Sequence, residues 1–330
     1  NLWAGYVRFK QGKTDLLAHL LPSLLAACKE NGYDFLFTRP TLLGTPDERI
    51  LVPLLILARD HGWEADYVHR ILDQMGLAGI SSHPGYQLKV TTLGSFTVFR
   101  GPTAISTSSW RRAKARQLFQ ILLTSRSAPL DREQIMEQLW PDHDPVSAAR
   151  NFKVTLNTLN QVLEPERGPG GESSFILREG STYSLRPGLD LWLDAEVFFS
   201  TIARAEALLK TDRPRAISLF EHATGLYKGD YLPDALYETW AAGERERLEV
   251  AFLRAADRLA DLYLEEKRYP QTIELCMRIL AVDNCWERAY RQLMLAHQGL
   301  GNRGQIGRVY QRCVQTLKTE LDVSPAEETQ

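Results

Sequence analysis

"DPVSAARNFKVTLNTLNQVL", residues 144–163, is the stretch that decides the fold. Asp144 and Pro145 are typical of a helix N-cap and a first helical position, and apolar residues then recur every three or four positions. No Asp or Glu occurs between Asp144 and Glu164, so this helix has a polar face without acids. The side predicted to pack on the core comprises Val146, Ala149, Phe152, Leu156, Leu159 and Leu163.

The opposite face of this helix carries short amides, hydroxyls and cations where soluble proteins usually place Glu and Lys. In the major groove, Arg pairs with guanine, Asn or Gln pairs with adenine, and the methyl groups of Val or Thr contact thymine. A face without acids also approaches phosphates without repulsion. The residues predicted to contact DNA on this helix are Ser147, Arg150, Asn151, Lys153, Val154, Asn157, Thr158 and Gln161. The competing interpretation is a solvated helix face.

The segments on either side favour DNA recognition. "WRRAKAR" (110–116) holds four cations and no acid at the start of a predicted helix over 109–125. A second helix is predicted over 131–140, with a capping box formed by Asp131 and Gln134. Two helices joined by a turn, with the acid-free helix second, indicate a helix-turn-helix. The residues predicted to grip phosphates are Arg111, Arg112, Lys114 and Arg116.

A hairpin is predicted after the acid-free helix. "SFILREGSTYSL" (174–185) reads as two short strands around a Glu-Gly turn. Its position is that of the wing in a winged helix, which enters a neighbouring groove. The hairpin residues predicted to contact DNA are Arg178 and Thr182.

Composition indicates an ordinary globular protein of two or three domains: 330 residues, 44% hydrophobic and 24% charged. Residues 88–187 hold 13 Lys/Arg against 9 Asp/Glu, whereas the remainder holds 26 against 32. A basic segment in an acidic protein suits a polyanionic partner. No apolar run reaches the ~20 residues of a membrane span, so no membrane partner is expected. Because the first residue is Asn1, we expect a piece of a longer protein.

The chain divides into three predicted segments. Residues 1–84 are helical, as at the end of a helical-repeat region, and residues 88–187 form the DNA-binding domain. Residues 190–330 are helical again. The predicted helices lie at 14–32, 47–62, 64–76, 194–210, 214–228, 238–265, 270–281, 285–299 and 304–320. Two predicted strands share "LKVTTLGSFTVFRG" (88–101), interrupted by Gly94.

An internal repeat indicates the architecture of the last segment. Leu259–Ala281 aligns with Leu293–Gln315 at an offset of 34 residues, the tetratricopeptide (TPR) period. The fold class expected is mainly α: a winged helix-turn-helix with a small β-sheet and wing, flanked by an N-terminal helical-repeat remnant and a C-terminal TPR-like α-solenoid.

Residues 88–330 resemble the SARP family of antibiotic-regulatory activators. The resemblance rests on "KARQLFQILL", "LDREQIMEQLWPD", "PVSAARNFKVTLNTLNQVLEP" and "REGSTYSL", which are similar to an OmpR-type winged-helix domain. It continues through "LDAEVFFSTIARAEALL", "LYKGDYLPD", "ETWAAGERERLE" and "LDVSPAEET", in the order of the bacterial transcriptional activator domain, BTAD. Residues 1–84 resemble the last helices of a MalT-like sensor in larger STAND regulators.

The resemblance implies a transcription activator that binds promoter direct repeats of double-stranded DNA as a homodimer or tandem pair. It also implies recruitment of RNA polymerase, with the loop Pro141–Pro145 in the polymerase-facing position. Two departures limit it: the wing ends in Tyr183-Ser184 instead of an aromatic followed by a cation, and the recognition helix has fewer Arg residues than its relatives.

Other classes of protein find little support. The histidines are scattered and no nucleophile–base motif occurs, so we expect no enzyme, no metal and no cofactor. The four cysteines form no C-x-x-C pair and predict buried, reduced thiols in a cytoplasmic protein. Two alternatives stay open: a TPR-type protein-interaction scaffold with little DNA affinity, and a regulator that also binds an unknown small-molecule effector.

Overall fold

The computed structural model describes residues 2–12, 14–39, 48–168 and 170–330, which form two compact units. The first unit comprises Asn1–Val90 and Thr97–Trp192, and the second comprises Thr91–Phe96 and Leu193–Gln330. The N-terminal helices and most of the segment predicted to bind DNA, which were predicted as separate domains, therefore belong to one compact unit. One contact between the predicted linker and this segment is a hydrogen bond that the Tyr86 hydroxyl donates to the Leu163 carbonyl at 2.6 Å.

Five short helices begin the first unit. Their shared core is built around Leu17, Leu21, Leu25, Val68 and Ile71, all buried. The helices are α1 (Leu2–Lys10), α2 (Thr14–Glu30), α3 (Phe35–Thr38), α4 (Val52–Asp60) and α5 (Ala65–Gln74).

The helix predicted over 47–62 begins later than expected. A 3-10 turn at Glu48–Leu51 precedes α4, which starts at Val52 with a proline in its first turn. Asp47, where the prediction starts, lies outside the described residues.

The winged-helix part of the first unit combines three helices with two small sheets. The four-stranded sheet has the order β3-β2-β1-β7, and the three-stranded sheet has the order β4-β6-β5. The elements are β1 (Leu88–Thr91), β2 (Thr97–Arg100), β3 (Thr103–Ala104), α6 (Ala113–Thr124), β4 (Leu130–Asp131), α7 (Arg132–Leu139), α8 (Pro145–Leu163), β5 (Ile176–Glu179), β6 (Thr182–Leu185) and β7 (Leu191–Leu193). The predicted fold class is confirmed.

The first helix of this motif starts at Ala113 and not at Ser109 as predicted. A 3-10 turn occupies Thr107–Trp110, and Arg111 then adopts a left-handed backbone conformation with φ 52°. Trp110 is buried and stacks on Phe119 of α6, so the chain reverses at Arg111 before the helix begins. Arg111 and Arg112, the second of which is extended, therefore lie before the helix.

The core-facing side of α8 differs in part from the prediction. Phe152, Leu159 and Leu163 are buried as expected, but Val146 is 72% exposed, and Ala149 and Leu156 are half-buried. The buried stripe also contains Ala148, Thr155 and Val162. A helical wheel built only on apolar residue types misses Thr155, and it places Val146 in the core although Val146 lies on the exposed side of the first helical turn.

The second unit is a row of helices in which each packs on the next. This confirms the predicted helical solenoid. Gly299 shows how closely neighbours approach, because a Cβ there would lie 2.2 Å from the Tyr269 ring. The helices are α9 (Asp194–Leu208), α10 (Arg213–Leu226), α11 (Thr239–Glu265), α12 (Tyr269–Val282), α13 (Glu287–Gly299) and α14 (Arg303–Leu321).

The second unit also holds the loop Thr91–Phe96, which joins the first two strands. Buried Asp194 accepts hydrogen bonds from the Thr92 and Leu93 amides at 2.7 and 2.9 Å. Gly94 has φ 85°, and a Cβ would lie 2.8 Å from the carbonyl carbon of Lys228. The glycine predicted only as a break between strands is thus required at this position.

The cysteine prediction holds for three of the four residues. Cys28, Cys276 and Cys313 are buried, and no disulfide forms. Cys285 is half-exposed because it lies in the turn before α13 instead of on an apolar helix face. None of the helices within the described ranges combines the length and hydrophobicity required to cross a lipid bilayer.

Candidate nucleic-acid interface

The N-terminus of α8 is fixed by its predicted cap. The Asp144 carboxylate accepts hydrogen bonds from the backbone amides of Val146 and Ser147 at 3.1 and 3.0 Å. The Ser147 hydroxyl and these amides lower the pKa of Asp144, so the carboxylate stays ionised at the positive end of the helix. Asp131 caps α7 with the predicted capping box. Both helices of the helix-turn-helix therefore start where the sequence placed them.

One face of α8 carries a stripe of exposed side chains, here called the acid-free stripe: Val146, Arg150, Lys153, Val154, Asn157 and Gln161. Their spacing of three or four residues places them along one side of the helix. Two other predicted contacts, Ser147 and Asn151, are half-buried at its edge. The stripe offers hydrogen-bond donors, acceptors and a methyl surface without any carboxylate.

The prediction that Thr158 lies on the outward face is wrong. Thr158 is only 9% exposed, and its hydroxyl donates to the Val154 carbonyl at 2.9 Å. Position 158 is three residues after Thr155 and four before Val162, both buried, so it shares their side of the helix.

The four predicted phosphate contacts fall into two pairs. Arg111 and Arg112 are exposed, and neither makes a side-chain hydrogen bond or ion pair with the described residues. Lys114 is half-buried and donates to Gln117 at 3.0 Å, and Arg116 is also half-buried on α6. The first pair is therefore better placed to meet an external phosphate.

The predicted hairpin forms between β5 and β6, and Gly180-Ser181 make its turn. The prediction missed β4, whose Asp131 pairs with Thr182 and accepts a hydrogen bond from the Ser181 hydroxyl at 2.7 Å. Tyr183 packs edge-on against Phe152 of α8, with ring centroids 5.0 Å apart. These contacts hold the wing against both helices of the motif.

The two predicted wing contacts are partly engaged within the hairpin itself. The Arg178 Nε donates to the Gly180 carbonyl at 3.1 Å, and its guanidinium lies 5.8 Å from the centre of the Tyr183 ring. The Thr182 hydroxyl donates to the Glu179 carbonyl at 2.9 Å. Arg178 stays exposed, so its terminal nitrogens face solvent.

Sequence reasoning missed a cleft of about 780 Å³ beside the C-terminal half of α8. Arg100, Ser109 and Arg167 line it together with Arg111 and the predicted base-reading residues Asn157 and Gln161. Arg100 ends β2, and Arg167 follows α8, so no spacing in the sequence links them. Only the positive balance of residues 88–187 pointed to this region.

The polymerase-facing loop predicted by the resemblance connects α7 to α8. Pro141, Asp142 and His143 are exposed, and the His143 amide donates to the Trp140 carbonyl at 3.2 Å. Trp140 itself is buried. The loop is thus a short exposed turn anchored at one end by an aromatic side chain.

Comparison with known proteins identifies the second unit. Residues 193–330 match the model of the bacterial transcriptional activator domain, BTAD. No curated protein matches the chain in sequence.

A solved structure shares the fold. Mycobacterium tuberculosis EmbR in complex with a low-affinity phosphopeptide aligns with a TM-score of 0.61 and 18% identity over 74% of this chain. The match spans 63% of the EmbR chain. At this identity the similarity concerns the fold, and the phosphopeptide belongs to EmbR. The BTAD match thus concerns residues 193–330, and the similarity to EmbR shows a shared fold.

Proposed function

We propose that this protein is a sequence-specific DNA-binding transcription activator that reads promoter direct repeats through its winged helix-turn-helix. The observation that carries the proposal is the acid-free stripe, exposed along a capped helix. A purely solvated face has no need of an acid-free run of amides and cations. A face that enters a major groove requires them, because each base edge presents its own pattern of donors and acceptors.

Each part of the surface has a distinct role in this proposal. Arg150, Asn157 and Gln161 contact base edges, and Val154 contacts thymine methyl groups. Arg111 and Arg112 bind phosphates, which orients the protein without reading sequence. Arg178, which is exposed on the wing, reaches into a neighbouring groove.

Partners of the whole protein belong to the same proposal. Direct-repeat sites imply two copies on DNA, as a homodimer or tandem pair, and the exposed loop Pro141–Pro145 is offered for RNA polymerase. The family that residues 193–330 match is one of transcriptional activators. A MalT-like sensor context for the N-terminal helices, and an unidentified small-molecule effector, stay predictions.

The test is a titration of the purified chain against duplexes of varied sequence at several salt concentrations. Asn157→Ala should relax the preference at one base position, at a cost of about 1–3 kcal/mol for the preferred base. The control is Arg308→Ala, which removes an exposed cation from α14. Retention of every base preference by Asn157→Ala would remove the base-reading role of the stripe.

One observation favours the alternative of a protein-interaction scaffold. Tyr237 is 99% exposed and Leu236 is 41% exposed, next to each other before α11. Exposed aromatic side chains are common anchors of protein interfaces. If duplex affinity is weak and insensitive to salt while a partner protein binds and is lost in Tyr237→Ala, the scaffold describes this chain better than the activator.

A further inference from the structure

The cleft beside α8 brings together three guanidinium groups from separate parts of the first unit. Arg100 comes from the end of β2, Arg111 from the turn before α6, and Arg167 from the segment after α8. Asn157 and Gln161 of the acid-free stripe form the adjacent wall. The volume of about 780 Å³ lies within the range of small-ligand sites, about 300–1,000 Å³.

The hydrogen-bonding capacity of these arginines is largely unused by the described residues. The Arg100 Nε is buried without an acceptor. The Arg111 side chain makes no hydrogen bond or ion pair with a described residue, and its backbone has φ 52°. One terminal nitrogen of Arg167 donates a hydrogen bond to the Gly171 carbonyl, and its other N–H groups make no further hydrogen bond with the described residues. Buried donors in proteins are normally hydrogen-bonded, so the Arg100 Nε has capacity for an acceptor that the described residues do not supply.

One carboxylate also lines the cleft, and it is already engaged. Glu164 is buried, and its two oxygens accept from the Ser174 amide at 2.9 Å and from the Ser173 hydroxyl. A single occupied carboxylate beside three arginines leaves the cleft positively charged.

We propose that this cleft binds a phosphate group through Arg100 and Arg111. A planar guanidinium can donate two parallel hydrogen bonds to the oxygens of one phosphate. The inference extends the proposed function, since the wall of the cleft belongs to the acid-free stripe.

Two sources of phosphate fit this chemistry: the DNA backbone and a small phosphorylated molecule. The helix α8 has 19 residues and is therefore about 28 Å long, whereas a major groove is about 12 Å wide. A helix longer than the groove is wide extends past it, so the cleft beside the end of α8 can face the flanking backbone. The volume of the cleft suits a small molecule equally well, so the experiment has an arm for each source.

The experiment compares the intact chain with Arg100→Gln and with the matched control Arg308→Gln on exposed α14. Arg111→Gln, at an exposed position, serves if Arg100→Gln does not fold by circular dichroism. In the first arm, inorganic phosphate is titrated at constant ionic strength by calorimetry. In the second arm, duplex affinity is measured as a function of salt. Loss of one phosphate contact should lower the salt slope by about one.

The outcomes separate the sources and test the proposal. A lower duplex affinity and slope in Arg100→Gln alone supports a backbone phosphate. Saturable phosphate binding that Arg100→Gln abolishes, with duplex binding unchanged, supports a free phosphorylated ligand. If Arg100→Gln matches Arg308→Gln in both arms, the cleft is no phosphate site. If the wild-type chain binds no duplex, the proposed function fails. The inorganic phosphate arm then still decides whether the cleft binds phosphate.

Discussion

Two arginines from each unit have contrasting surroundings. In the second unit, Arg245 donates to the carbonyls of Ala235 and Leu236 at 2.8 and 3.0 Å, and Arg268 pairs with Glu221 at 2.8 Å. In the first unit, Arg111 and Arg150 are exposed and lack any such contact with the described residues.

The difference distinguishes arginines that stabilise the fold from arginines that are available to bind an external partner. A guanidinium that already donates to carbonyls fixes a loop, and its removal leaves acceptors unpaired. An exposed guanidinium on a face without acids adds little to stability and is available to an external anion. The comparison therefore predicts that stability and DNA affinity depend on separate sets of arginines.

The largest expected effect is on stability, from Arg245→Ala. Loss of its hydrogen bonds to backbone carbonyls should lower the free energy of unfolding by about 1.5–3 kcal/mol, the range for hydrogen bonds that involve charged groups. Arg150→Ala, the matched change on α8, should stay within about 0.5 kcal/mol of wild type. Denaturant unfolding measures both. Equal destabilisation by the two variants would break the comparison.

The next effect concerns base recognition by Arg150. Arg150→Ala should weaken the preferred duplex by about 1–3 kcal/mol, roughly 5- to 150-fold, while sequences that lack the recognised base lose less. Arg245→Ala, if folded at the assay temperature, should bind like wild type. Competition titrations with single-base variants of the duplex measure this. A uniform loss over all sequences would reassign Arg150 to phosphate contact.

A smaller, uniform effect is expected from Arg112→Ala. A phosphate contact carries no base information, so every duplex should weaken alike and the slope of log affinity against log salt should decrease by about 0.9. Arg308→Ala should leave the slope unchanged. Loss confined to one sequence would contradict the assignment of Arg112 to the backbone.

The smallest expected effects concern how stability depends on pH through two buried aspartates. Burial would raise the pKa of Asp190, but the nearby His83 ring, a hydrogen bond from Gln87 and the charge of Arg49 outweigh it and lower the pKa below 3.8. Its stabilising contribution is therefore present above pH 3.8 and lost as the pH falls through the lowered value. Asp190→Asn should destabilise the first unit at pH 7 and cease to matter in strong acid.

Asp257 in the second unit has the opposite sign. Burial raises its pKa above 3.8 despite the opposing charge of Arg288 and hydrogen bonds from Trp286 and Gln292. Ionisation on raising the pH through the higher value therefore costs stability, and Asp257→Asn should reduce that loss. Hydrogen exchange resolves the two units separately. If the stability of Asp190→Asn and Asp257→Asn, relative to wild type, changed with pH in the same direction, the opposite pKa shifts assigned to the two carboxylates would be contradicted.

Local signals account for the parts of this fold that the sequence predicted. The two helix caps are local, because the side chains of Asp144, Asp131 and Gln134 bond to backbone amides within three residues in the chain. Such caps can therefore be predicted from the sequence alone. Helix periodicity likewise located α9–α14, because each helix buries a face of its own.

The features that were missed depend on contacts between distant segments. Thr158 is buried because of how α8 packs, which residue type does not reveal. The late start of α6 follows from the anchoring of Trp110. The cleft is lined by Arg100, Arg111 and Arg167, which come from three separate segments of the chain. Their spacing in the sequence does not predict that they lie close together.

Selection of bound duplexes from a random pool by the intact chain tests the role of the acid-free stripe most directly. The expected result is enrichment of a direct repeat, absent when the selection is repeated with the double variant Arg150→Ala/Asn157→Ala. Failure of the wild-type chain to enrich any sequence at about 50 mM salt, where electrostatic contacts are strong, would contradict DNA recognition by α8.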